Sequence, residues 1–132
     1  MLAAAESKDF LRAEEIALEQ VDSALRSHPA TVRVVDRHWM TVFSLLPEEF
    51  WQKWKPLPPT TLCAADLECT IKRLSHRDET YAGSEWHSLY IARYEQLARQ
   101  FRVPIVRTDR HAIDEALAAL TTWARAVIGV DP

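Results

Sequence analysis

Three short clusters in this sequence place carboxylates and guanidinium groups where phosphate chemistry could be done. Asp36 and Arg37 directly follow the run VRVV. A guanidinium presents a planar fork of donors that matches phosphate oxygens, and a neighbouring carboxylate can orient it or a hydrated Mg²⁺. The same dipeptide also serves as a plain surface ion pair at a strand end. Arg73 and Arg77 are spaced i, i+4 and share a face if their helix extends that far. Two arginines at the root of a polar segment can close over a phosphate chain and stabilise charge during phosphoryl transfer. Basic residues at a helix C-terminus are equally favoured by the dipole alone. Thr108, Asp109 and Arg110 follow a further β-branched run. Trp39, Phe43, Trp51 and Trp54 come after the Asp36-Arg37-His38 stretch. Such rings can stack on a base, although aromatics at helical spacing more often fill a core.

The elements that must position these groups follow from periodicity and punctuation. Residues 8–27 carry Phe10, Ala13, Ala17, Val21 and Ala24 at threes and fours, and His28-Pro29 ends that helix. Residues 31–35 are β-branched and read as a strand ending at Asp36. A short helix with Trp39, Val42, Phe43 and Leu46 comes next, then a second start at Pro47-Glu48-Glu49 and a proline-stiffened loop at 55–59. Residues 60–65 predict a second strand buried on both faces, with Asp66 capping the helix after it. Residues 75–85 read as a polar loop, followed by a helix with Trp86, Tyr90, Tyr94, Leu97 and Phe101 on one stripe. Residues 103–106 predict a third strand. Asp109 is the expected cap of a last helix bearing Ile113, Leu117, Leu120, Ala124 and Val127. Alternating strands and helices predict one α/β domain over residues 1–132, a parallel sheet with helices on its faces, and ligands beyond the strand ends.

Composition narrows the chemistry. The chain has 132 residues, 48% hydrophobic and 27% charged, with a net charge of −3. That balance does not suit a surface that coats a nucleic-acid polymer, but a local basic cluster can still hold one phosphorylated small molecule. No apolar run reaches the length of a membrane span, and charges at Glu6 and Lys8 break any signal-peptide pattern, so a cytoplasmic protein is expected. Cys63 and Cys69 read as small buried hydrophobes, and the scattered histidines offer no metal-ligand spacing. Only two glycines occur, Gly83 and Gly129, and there is no G-x-x-x-x-G-K-[ST] motif. The chain therefore has no P-loop.

The succession VRVVDRHW, PPTTLCAADLECTIKRLSHRDE and YIARYEQLARQFRVPIVRTD resembles the thymidylate-kinase-like and deoxynucleoside-kinase-like branch of the P-loop nucleotide kinases. The resemblance implies that fold without its first strand, P-loop and first helix. It implies a C-terminal portion, inactive alone, of an enzyme that phosphorylates a nucleoside or nucleoside monophosphate with ATP and Mg²⁺. Arg37 would bind the acceptor, with Asp36 beside the reacting centre and Trp39 and Phe43 near the acceptor base. Arg73 and Arg77 would belong to a lid over ATP, and the backbone at Thr108-Asp109 would lie near adenine. With the strand next to the P-loop missing, either the two strands beside the gap close up or their edges need a partner to cover them, a second copy or a separate N-terminal segment. The alternative expectation is a non-catalytic phosphate-binding or protein-interaction module derived from that fold.

Overall fold

A computed structural model describes residues 1–77 and 82–129. The chain divides into two compact units, Met1–Pro58 and Pro59–Pro132.

The first unit is helical. A short helix α1 (Leu2–Glu6) precedes α2 (Phe10–Ser27), whose N-terminus is capped by Asp9 accepting from the Arg12 amide at 3.3 Å. Small residues line the buried face of α2, where Ala13 and Ala17 are almost fully enclosed. The third helix, α3 (Trp39–Leu45), contributes Trp39, Met40, Val42 and Phe43 to the core. Phe43 stacks on Trp51 with ring centroids 4.3 Å apart, and Trp39 meets Phe43 edge-on at 5.1 Å. Such pairs add roughly 0.5–1.5 kcal/mol beyond their burial. The Trp51 indole N–H donates to the Leu46 carbonyl at 3.0 Å, so its polar edge is satisfied inside this cluster. The segment after Pro47 forms two 3₁₀ turns, Glu48–Phe50 and Gln52–Trp54, where the sequence predicted a helix.

The expected strand at 31–35 does not form. Those residues are bent or irregular, and Val32, Val34 and Val35 are 54%, 93% and 46% exposed. β-branching favours extended backbone, but a strand also needs a ladder partner for its N–H and C=O groups. Among the described residues no strand pairs with this segment.

The second unit is α/β. Strand β1 (Leu62–Ala64) runs parallel to β2 (Ile105–Arg107), in register Leu62–Ile105, Cys63–Val106 and Ala64–Arg107. Helices α4 (Leu67–Ser75) and α5 (Ser84–Gln100) connect them, as a parallel pair requires. The last helix is α6 (Ile113–Ile128), stopped by Gly129 in the left-handed region at φ 73°. Parallel sheet and flanking helices are thus as expected, but with two strands among the described residues. Ala64, Leu97, Ala98 and Ala116 are the buried apolar residues of this unit among the described residues. β1 is not enclosed on both faces: Cys63 is exposed and Cys69 half-buried, which corrects the reading of both as core residues. No helix among the described residues is long and apolar enough to cross a membrane.

Candidate functional site

In the first unit a cleft of about 350 Å³ opens along one face of α2. That volume lies in the range, roughly 300–1,000 Å³, of small-molecule sites. Ala17, Val21 and Ala24 recur at helical spacing and build an apolar wall, and Val42 and Trp54 complete it. Asp36, Arg37 and His38 form the polar margin.

Arg37 adopts the left-handed region at φ 60°. That conformation costs an ordinary residue about 1–2 kcal/mol, so the chain is strained at the cleft margin. Asp36 and Arg37 are both exposed, and neither side chain makes a hydrogen bond or ion pair among the described residues. The pair is therefore not the strand-end salt bridge that its sequence allows. His38 is half-buried, and its ring meets the Trp54 indole edge-on at 5.4 Å. Burial lowers the His38 pKa below its ordinary 6.5, so the neutral imidazole is favoured. Its Nδ1 and the Trp54 Nε1 are both buried without a hydrogen-bond partner among the described residues.

In the second unit the carboxyl ends of the two strands carry a dense polar network. Arg107 grips Asp109 with two hydrogen bonds, Nε to Oδ1 at 3.1 Å and Nη2 to Oδ2 at 2.6 Å. A third guanidinium nitrogen donates to Glu95 at 2.8 Å. The Arg107 hydrogen bonds hold the Asp109 carboxyl well below the usual carboxylate range, and reciprocally raise the Arg107 pKa. Asp109 also accepts from the Asp66 amide at 2.9 Å, which ties the end of β2 to the end of β1. Arg73 donates to the Thr108 hydroxyl at 2.8 Å and to the Thr108 carbonyl at 2.6 Å. The Thr108 hydroxyl in turn donates to the Ala64 carbonyl at 3.2 Å.

Arg73, Thr108 and Asp109 are thus brought together at the carboxyl ends of β1 and β2, a contact the sequence reading, which assigned Arg73 and Thr108-Asp109 to different strand ends, does not specify. Asp66 caps α4 as expected, its Oδ1 accepting from the Cys69 amide at 2.8 Å. Asp109 does not cap α6. The residue at that cap is Ala112, which has no capping oxygen, while the Asp109 carboxylate is taken up by Arg107 and the Asp66 amide. Arg77 lies beyond the last residue of α4, so the i, i+4 face shared with Arg73 is not realised on a helix. The remaining polar residues of the expected lid, Asp78 and Glu79, lie outside the described residues. Trp39 and Phe43 are only 1% and 4% exposed, so in this conformation neither presents a ring face to a ligand. Of the four aromatic residues named after Asp36-Arg37, Trp54 is the one on the cleft.

Arg107 and Glu95 were missed. The signal available was Arg107 and Asp109 at i, i+2, a spacing that sets two side chains on one side of extended backbone. Leu25 on the cleft was missed because an apolar helix face reads as core whether it meets protein or open space, and Gln20 because a lone polar residue on a helix reads as solvated surface. Among the described residues no group of three or more His, Cys, Asp or Glu side chains is placed to hold a metal ion. Comparisons with protein-family models, curated proteins and solved structures find no match to this chain.

Proposed function

We propose that this chain is a nucleotide-kinase-like module, related to the C-terminal portion of the thymidylate-kinase-like enzymes. It binds a nucleoside or nucleoside monophosphate in the Met1–Pro58 cleft and does not transfer phosphate by itself. One observation carries the reading: the Asp36-Arg37 pair of the VRVVDRHW signature lies on the margin of a cleft of ligand size, with no protein partner of its own among the described residues. An apolar wall with a few convergent polar groups suits a flat ring bearing an anionic tail. Arg37 would meet the phosphate, with Trp54 in place of Trp39 and Phe43 as the aromatic contact.

The parallel pair β1–β2, with its helices, is read as part of a P-loop nucleotide-kinase sheet. Arg73, Arg77 and the Thr108-Asp109 backbone would then serve the ATP side of a complete enzyme that uses Mg²⁺. A non-catalytic binding module is favoured by a separate observation. The Arg73 guanidinium is already engaged with Thr108, and the sequence holds no loop for the β- and γ-phosphates.

Calorimetric titration with dTMP, other nucleoside monophosphates and the matching nucleosides tests the proposal. Saturable binding is expected, with Arg37→Ala weakening the monophosphates about tenfold or more, as loss of a charge-assisted hydrogen bond should. The nucleosides should be nearly unaffected. Absence of binding, or equal affinities in the two proteins, would refute the assignment. With ATP and Mg²⁺ added, turnover approaching the roughly 1–100 s⁻¹ of kinases would contradict a module that only binds.

A further inference from the structure

The last helix carries an apolar stripe that its own unit does not cover. On a 100° wheel, Ile113, Leu117, Ala124 and Ile128 fall within one narrow arc. Ile113 is 86% exposed, Leu117 59% and Ile128 48%, while Ala116 on the neighbouring arc is buried. Single exposed apolar residues are ordinary, but a stripe running the length of a helix marks an interaction surface.

The charges beside the stripe specify what fits it. Asp114 and Arg125 are eleven residues apart, which returns them to nearly the same angle on the wheel, along one margin of the stripe. They stand about 16 Å apart along the axis, too far to pair within one helix. Neither makes a hydrogen bond or ion pair among the described residues, whereas the nearby Glu115 already has His111 at 3.1 Å. The helix dipole accounts for an acid in the first turn and a base in the last, but not for their sharing this margin.

We propose that this face of α6 docks on the same face of a second copy, the two helices antiparallel about a two-fold axis near Leu120. Such an axis keeps each margin on its own side while reversing the chain direction. Ile113 then lies opposite Ile128 of the partner subunit, and Leu117 opposite Ala124 of the partner subunit. Asp114 comes within about one helical turn of Arg125 of the partner subunit, and the symmetry makes that pair twice. One self-complementary surface thus covers the stripe and gives both charges a partner.

Sedimentation velocity on the full chain, over a roughly hundredfold concentration range, tests this. A monomer–dimer equilibrium is expected. Leu117→Glu should abolish the dimer while leaving the circular dichroism unchanged, since Leu117 is mostly exposed. Asp114→Arg and Arg125→Asp should each weaken association severalfold, and the double variant should restore it. A wild-type protein that stays monomeric throughout would overturn the proposal. So would a dimer indifferent to Leu117→Glu, or a monomer whose α6 stripe is shielded from labelling by another part of its own chain.

Discussion

At the level of single residues, the Arg107–Asp109 pair and His38 each link structure to pH. Asp109 has a folded pKa below its ordinary 3.8, so its contribution is fully present above that value. It is lost as pH falls from 3.8 through the folded value, below which both states are protonated. Asp109→Asn should therefore be less stable than wild type at neutral pH, and the gap should close in strong acid. Urea melts at a series of pH values measure this; a gap independent of pH would show that the ion pair contributes nothing. His38 runs in the same direction for a different reason. Burial lowers its folded pKa below 6.5, so the unfolded chain binds the extra proton first and stability declines as pH drops through that value. His38→Gln should flatten that part of the profile. The imidazole resonances in NMR should titrate below the ordinary value, and a midpoint at or above 6.5 would contradict the burial of the ring.

Single elements show what could be read from the amino-acid order and what could not. Helices α2, α4, α5 and α6 lie close to where apolar spacing puts them, because a 3.6-residue repeat is written into the chain itself. Asp66 was legible as a cap for the same reason: its partner, the Cys69 amide, is three residues away. Substituting Asp66→Ala should cost about 1 kcal/mol by chemical denaturation. Residues 31–35 failed as a strand because a strand is a relation between segments, and no local pattern supplies the partner. Asp109 failed as a cap because Arg107 and the Asp66 amide, the latter 43 residues away in sequence, outcompeted the local helix for its carboxylate. Of the candidate site, the positions Asp36-Arg37 and Arg73 with Thr108-Asp109 were legible from residue type. The buried state of Trp39 and Phe43 was not, since aromatic spacing is the same for a core and for a stacking wall. Hydrogen exchange checks the strand result directly. The amides of 31–35 should exchange as unprotected, while the Leu62 amide, bonded to the Pro104 carbonyl at 2.8 Å, and the Thr108 amide, bonded to the Ala64 carbonyl at 2.8 Å, should be slow.

At the scale of the whole molecule, each unit has its own way of being stable. The second unit carries a polar network at its strand ends, whereas Met1–Pro58 packs Trp39, Phe43 and Trp51 into an aromatic cluster. A unit of this size has little stability in reserve, on the order of 3–5 kcal/mol. Trp39 is the largest fully buried side chain among the described residues, and truncating a buried tryptophan costs about 3–5 kcal/mol. The two magnitudes are comparable, so Trp39→Ala should do more than soften the cluster. It should bring Met1–Pro58 to the edge of unfolding and with it the cleft that Ala17, Val42 and Trp54 line. The expected outcome is a large loss of amide protection in α2 and α3, together with loss of any ligand bound at Arg37. The conservative Trp39→Phe should keep most of both, because it retains an apolar ring against the edge of Phe43. Wild-type protection in α2 and α3 after Trp39→Ala would show that some other contact, such as the 2.9 Å ion pair between Lys53 and the buried Glu14, holds this unit together instead.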